Sequence, residues 1–181
     1  HPALMSVTAN GISSASPLTV NADGRLVAFM SEADDLILND TNQVRDVFVR
    51  DLLAGTNLLV SVALDGVTSG NGISLEPAIS SDGRFVVFSS SASDLVVGDT
   101  NQTQDVFVRD LVSRTIILVS VATNGIGPGN ADSSTPVISG DGRYVLFRSR
   151  ATNLAKGTGS YENAFLRDLQ ELRRIVEPAG V

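Results

Sequence analysis

The sequence predicts an all-β fold of three repeated units, each made of four antiparallel strands. Three observations carry this. Asp23-Gly24-Arg25, Asp82-Gly83-Arg84 and Asp141-Gly142-Arg143 stand 59 residues apart, each followed at one distance by a phenylalanine: Phe29, Phe88, Phe147. Farther on come Asp46-Val47-Phe48-Val49-Arg50-Asp51-Leu52, its copy at 105–111 and the weaker copy Asn163-Ala164-Phe165-Leu166-Arg167-Asp168-Leu169; between 23–52 and 82–111, 20 of 30 positions are identical. A fixed period of this size marks a modular fold in which no unit buries its own apolar face. Finally, the apolar runs are short, rich in β-branched and aromatic residues, and apolar at successive positions, as in Phe85-Val86-Val87-Phe88. Such strands are covered on both sides, and no segment sustains a helical period. Short strands in four-stranded units with two covered faces are the pattern of β-propeller blades.

The second repeat is the clearest. Pro77–Ser80 is a short extended piece, and Ser81-Asp82-Gly83 is a tight-turn signal, with Gly free to take positive φ and Asp able to accept a backbone hydrogen bond. Arg84–Ser89, Asp105–Leu111 and Thr115–Val121 then read as strands. Repeat one offers Leu18–Val20, Arg25–Ser31, Asp46–Leu52 and Asn57–Ala63; repeat three offers Pro136–Ser139, Arg143–Ser149, Asn163–Leu169 and Arg173–Glu177. The blades are expected at 12–66, 67–125 and 126–181. Residues 4–11 align with 59–66, so 1–11 reads as a surplus outer strand belonging to a neighbouring blade. In a closed ring that strand would complete the last blade. Three blades cannot close a ring without leaving two broad apolar faces, so a head-to-tail homodimer with six blades is expected, with a piece of a longer propeller as the other reading.

Composition narrows the partners. A net charge of −7 and a pI near 4.5, with no basic tract, disfavour nucleic acid and anionic membrane surfaces. No run approaches the roughly 20 apolar residues of a membrane span, and the first residues lack the basic and apolar parts of a signal peptide. Without cysteine there is no disulfide, thiol nucleophile or thiolate metal site. The only histidine is His1, which leaves no Ser-His-Asp triad, and neither a phosphate-binding loop nor a Gly-x-Ser-x-Gly elbow occurs.

Ser-x-Asp-Gly-Arg followed by Val-x-Phe, then Ala-x-x-Leu, Asp-Thr-Asn and Asp-Val-Phe-Val-Arg-Asp-Leu, resembles the TolB-type (PD40, WD40-like) β-propeller repeat of bacteria. The match covers nearly the whole chain and is weakest in repeat three, which is one residue shorter. The resemblance implies a six-bladed ring or larger, and a periplasmic or extracellular location.

The candidate chemistry lies in Asp40-x-Asn42-x-x-x-Asp46 and its copy Asp99-x-Asn101-x-x-x-Asp105. Oxygen side chains at alternate loop positions suit a hard cation such as Ca²⁺, which takes six to eight oxygens. The spacing resembles the calcium loops of other propellers but lacks a third acidic position and their glycine. The competing reading makes the same residues Asx turns that cap the loop, with Asp105 paired to a neighbouring Arg or backbone N–H. Repeat three, with Thr158, Ser160 and Asn163 at the matching places, is expected to hold no metal under either reading. The Arg50-Asp51, Arg109-Asp110 and Arg167-Asp168 pairs, and Arg25, Arg84 and Arg143, recur in every repeat and are expected to be structural. The function expected is a non-enzymatic scaffold that binds an unidentified protein or small ligand. The alternative is the propeller part of a hydrolase or lyase using channel carboxylates and a metal.

Overall fold

The computed structural model describes residues 11–17, 19–38, 40–159 and 161–176, with side chains in the last helix as far as Leu172. The first sheet runs β1 (Ser13–Ser14), β2 (Leu26–Ser31), β3 (Asp46–Asp51), β4 (Thr56–Leu59). The second runs β5 (Ser74–Ile79), β6 (Phe85–Ser90), β7 (Asp105–Asp110), β8 (Thr115–Leu118). The third holds β9 (Ser133–Ile138), β10 (Tyr144–Ser149) and β11 (Asn163–Asp168), and is followed by helix α1 (Leu169–Val176). All pairings are antiparallel between neighbours in sequence, as blades require. The expected surplus strand falls in residues 1–10, outside the described residues.

Packing explains the successive apolar residues. In blade 2, every residue of β6 and β7 is buried, because the sheet lies between two others. Its Val87 and Val108 face β9 of blade 3, and its Phe88 and Phe107 face the opposite way. The phenylalanines of the repeat sit directly opposite each other on the two central strands, with ring centroids 5.6–5.8 Å apart. Aromatic cross-strand pairs of this kind fix register as well as burying area. On the side of blade 1 away from blade 2, Phe29, Phe48, Leu59 and Val62 form a separate small cluster closed by Leu36 and Ile37.

Two expectations change. The innermost strands begin earlier than Pro77 and Pro136, at Ser74 and Ser133, because the polar starts are held by buried serine pairs. The Ser74–Ser90 and Ser133–Ser149 hydroxyls lie 2.9 Å apart, and Ser13–Ser31 2.8 Å. Glu76 and Thr135 take positive φ just before those prolines, and the register shifts there. In blade 1 the inner strand is Ser13–Ser14, not Leu18–Val20. Val20 makes only an isolated bridge to Val27, and Leu18 lies outside the described residues. Ser13 precedes Val20 by seven residues where Ser74 precedes Ile79 by five, and the extra pair interrupts the ladder.

The larger correction is in blade 3, where the strand expected at Arg173–Glu177 is replaced by α1; Glu177 lies outside the described residues. The local sequence favours a helix. Asp168 caps it by accepting the Gln170 N–H at 2.9 Å, and Glu171 lies in its first turn. Blade 2 has Val112-Ser113-Arg114-Thr115 at these positions, a turn that leads into β-branched Ile116-Ile117, whereas blade 3 has Gln170-Glu171-Leu172-Arg173, all good helix formers. Leu169 and Leu172 join the main core.

The Asp-Gly-Arg turns also join the blades. Gly24, Gly83 and Gly142 have φ of 74°, 75° and 70°. A Cβ on Gly24 would meet nothing within 4 Å, but one on Gly142 would stand 2.4 Å from Phe85 Cδ2 of the preceding blade. Gly24→Ala should therefore cost about 1 kcal/mol, from backbone strain alone. Gly142→Ala should cost about 2–4 kcal/mol, since overpacking adds to the strain. Urea denaturation of the two variants compares them; equal losses would mean that the turn does not pack on the preceding blade.

Candidate functional site

The long loops between β2 and β3 and between β6 and β7 carry the Asp-Asn-Asp sequences, and the two copies have one geometry. Asn42 Oδ1 accepts the Val44 N–H at 2.9 Å, and Asn101 Oδ1 accepts the Thr103 N–H at 3.1 Å. These are Asx turns, and the residues inside them, Gln43 and Gln102, sit in the left-handed region at φ 58° and 56°. The Asn42 amide nitrogen donates to Asp46 Oδ2 at 2.7 Å and to the Gly70 carbonyl at 2.6 Å. Asn101 does the same toward Asp105 (2.7 Å) and Gly129 (2.6 Å). Because carboxylate and carbonyl both require a donor and the backbone N–H requires an acceptor, this network fixes which way each amide points.

The remaining carboxylate oxygen is also engaged. The Ser61 hydroxyl donates to Asp46 Oδ1 at 2.5 Å, and Ser120 donates to Asp105 Oδ1 at 2.5 Å. Each hydroxyl accepts a backbone N–H, from Val47 or Val106, at 3.1 Å. A buried serine and aspartate and a half-buried asparagine thus tie together a loop, a central strand, the exit from the outer strand and the segment leading to the next blade. Asp46 and Asp105 are fully buried, and burial pushes both carboxyls up to about 7. Burial also raises Asp40 and Asp99 above their ordinary value. In blade 3 the position of Asp46 is taken by Asn163, whose amide donates to the Tyr161 carbonyl at 2.7 Å; Ser160 lies outside the described residues.

The sequence thus brings Asp40, Asn42 and Asp46 together, and Asp99, Asn101 and Asp105, but as hydrogen-bonded clasps. A calcium cage needs oxygens turned inward. Here the asparagine presents its N–H₂ to the aspartate, and both oxygens of Asp46 and of Asp105 already accept hydrogen bonds. Asp40 Oδ1 is the one buried carboxylate oxygen of the set without a partner among the described residues. No three acidic or histidine side chains converge with metal-site geometry among the described residues. The arrangement fits Ca²⁺ only if each amide first turns away from its aspartate. The pairing differs from the expected Arg or backbone N–H: Asp105 is held by a serine hydroxyl and an amide.

The arginines divide into two groups. Arg25, Arg84 and Arg143 each pair with the aspartate ending the next strand, Asp51, Asp110 and Asp168, at 2.6–2.7 Å. The guanidinium of Arg25 holds the Asp51 carboxyl well below the usual carboxylate range, and Arg143 lowers that of Asp168. Asp51 and Asp110 also accept backbone N–H groups of the following turn, as Asp168 does at the start of α1. The arginines inside the central strands are less alike than their sequence. Arg167 donates to the carbonyls of Val121 and Leu154 at 2.7 and 3.2 Å, and Arg50 to Asn57 at 3.3 Å. Arg109 is 5% exposed and makes no hydrogen bond to a described residue. Sequence reasoning missed this difference, since the three stand in equivalent places.

Stability should depend on pH in two opposite ways. The raised carboxyls of Asp46 and Asp105 mean that the folded chain holds protons the unfolded chain releases. That contribution is complete below about pH 4 and is lost as pH rises through about 7. The depressed carboxyls of Asp51 and Asp168 contribute above about pH 4 and lose their contribution as pH falls further. Melting temperature should therefore fall between about pH 5 and 8, and Asp105→Asn should flatten that slope. Thermal melts across the range compare the two; an unchanged slope assigns the titration elsewhere.

No protein-family model matches the sequence, and no curated protein matches it either. Solved structures do match. TolB from Acinetobacter baumannii is 18% identical with a TM-score of 0.51, over 90% of this chain and 31% of that one. A putative TolB from Agrobacterium tumefaciens is 16% identical with a TM-score of 0.54, over 91% and 48%. The β-propeller domain of the Trilobed protease from Pyrococcus furiosus is 15% identical with a TM-score of 0.54, over 89% and 40%. The chain spans less than half the length of each of these. At such identities the likeness is one of fold, and it agrees with the blade order, the two-sided burial and the repeated turns: the chain is built as three blades of a TolB-like β-propeller.

Proposed function

We propose that the protein is a non-catalytic propeller scaffold that binds a protein or small ligand, and that three blades from each of two copies form one ring. The observation that carries the scaffold reading is the engagement of the repeated titratable groups in structural clasps. Asp46 and Asp105 hold serines and asparagines, and Arg25, Arg84 and Arg143 hold strand ends. A general acid or base needs a face toward substrate; Asp46 and Asp105 are buried within the blades, and the half-exposed arginines are held by the strand-end aspartates. The extracytoplasmic location implied by the repeat resemblance goes with this reading.

The assembly rests on blade 3. Val137, Leu146 and Leu166 are 36%, 44% and 64% exposed, while their counterparts in blade 2, Ala78, Val87 and Val108, are at most 1% exposed. The outward face of blade 3 repeats the face that blade 2 uses to bury blade 3. Beside it, Arg148 and Glu162 pair at 3.7 Å where blade 2 has Ser89 and Gln104. An apolar centre beside a charged pair suits an interface between molecules. A second copy would offer blade 1 to this face.

The other reading, a propeller attached to hydrolytic or lyase chemistry, draws on the likeness to a propeller domain of a protease. Turnover of ester, glycoside or phosphoester substrates, with and without Ca²⁺, would favour it if lost on mutating a channel carboxylate. Calcium binding at the Asp-Asn-Asp loops belongs to the same test. Chelator should leave the melting temperature unchanged if the clasps are purely structural, and lower it if Ca²⁺ is held.

Light scattering reads the assembly directly. The wild-type chain should run at about twice its 18.9 kDa. Leu146→Glu with Leu166→Glu should run at the single-chain mass with its β-sheet circular dichroism intact. A wild-type chain that is monomeric at all concentrations overturns the two-copy ring.

A further inference from the structure

Blade 2 carries a cavity of about 650 Å³ between its outer strand β8 and the loops on either side. That volume lies within the roughly 300–1,000 Å³ of small-molecule sites. Its walls are aliphatic. Val62, Leu95, Ile117 and Val121 form buried parts, and no aromatic ring among the described residues lines it. At the rim, Leu64, Val97 and Ile126 are 57%, 87% and 79% exposed, an apolar opening that solvent does not favour. Among the described residues, Arg109 and Arg114 are the only charged ones lining the cavity.

Arg109 is what sets this cavity apart. It is more than nine-tenths buried, it stays charged at any physiological pH, and its Nε is buried without a hydrogen-bond acceptor among the described residues. A buried cation without a partner is among the most costly arrangements in a folded protein. The equivalent in blade 3 meets part of this demand: Arg167 donates from its terminal nitrogen to the carbonyls of Val121 and Leu154, although its Nε is buried without a partner among the described residues as well. Their counterparts in blade 2, Val62 and Leu95, line the cavity, yet Arg109 bonds to neither. Arg114, placed in the left-handed region at φ 62°, brings a second positive charge to the same wall. The two cations repel, and an anion between them would relieve both.

We propose that this cavity is a binding site for a straight-chain aliphatic carboxylate, its head group on Arg109 and Arg114 and its chain along Leu64, Leu95, Val97, Ile117 and Ile126. A carboxylate accepts from a guanidinium through two parallel N–H donors, the geometry in which charge-assisted bonds are strongest. The aliphatic lining selects a flexible alkyl chain over a polar or flat aromatic body. The site lies on blade 2, away from the exposed face of blade 3, so it does not depend on ring assembly.

Decanoate is the probe, titrated by calorimetry below its micelle concentration beside 1-decanol and decyltrimethylammonium. Decanoate should bind saturably and raise the melting temperature, and the neutral and cationic analogues should bind at least about tenfold more weakly. Arg109→Gln should lose decanoate by at least about tenfold, without a lower melting temperature of the free chain, since an unpaired buried cation has been removed. Arg114→Gln, at an exposed position that does not endanger folding, should weaken decanoate severalfold and reduce the salt dependence of binding. Equal affinity for the three head groups, or full decanoate binding by the Arg114→Gln chain, overturns the proposal.

Discussion

A sheet buried on both faces depends on having two neighbours, and this constraint organises the rest of the chain. In β6 and β7 every residue is buried, including Ser89, Asp105 and Arg109. Burial on that scale is worth roughly 25 cal/mol per Å² of apolar surface, far more than the surface ion pairs contribute. It also forces each polar group in the stack to find a partner inside the blade, because water has no access. The serine pairs that start the inner strands, the Ser61-Asp46-Asn42 chain and its copy at Ser120-Asp105-Asn101 are answers to that demand.

The same constraint explains why the blades differ. Blade 2 is covered on both sides and keeps the repeat most faithfully. Blade 3 has one neighbour among the described residues, and there its sequence has drifted: Ser89 becomes Arg148, Gln104 becomes Glu162, and the Asp105 clasp becomes Asn163. The Arg143–Asp168 pair persists because it works within one sheet. Asp168 then serves a second purpose, since a carboxylate that closes a hairpin turn in blades 1 and 2 also caps a helix. One conserved local device thus permits two continuations, and the residues after it choose. Blade 2 follows with Val112-Ser113-Arg114, blade 3 with Gln170-Glu171-Leu172.

That choice marks the limit of what the repeat made legible. The central strands, their register through the paired phenylalanines and the Asp-Gly turns follow from sequence, because each repeats one hydrogen-bonding solution three times. The outer element of blade 3 does not, since alignment to the repeat outweighed the Asp168 and Glu171 capping pattern that was visible in the residues. The inner strands begin earlier than expected because their polar starts are stabilised by serine pairs across the sheet, and hydrophobic pattern carries no trace of such a contact. At the candidate loops, sequence identified the residues that meet but not the direction of the amides. That direction depends on Gly70 and Gly129, which lie 28 residues away from their asparagines.

Arg109 illustrates the deeper reason for the remainder. By sequence it is indistinguishable from Arg50 and Arg167, all within the same Phe-x-Arg-Asp-Leu motif. Its environment differs because the elements around it differ. In blade 3 the segment after the motif coils into α1 and the arginine meets two carbonyls; in blade 2 the segment extends as β8 and the arginine meets a cavity. A repeat protein can therefore acquire a binding site without changing the residue that binds. Substituting the neighbours is enough, because the backbone carbonyls that neutralised the cation in one blade are left without it in the next. The pressure to fill that space comes from the same electrostatics that pairs serine, aspartate and asparagine in the clasps of blades 1 and 2.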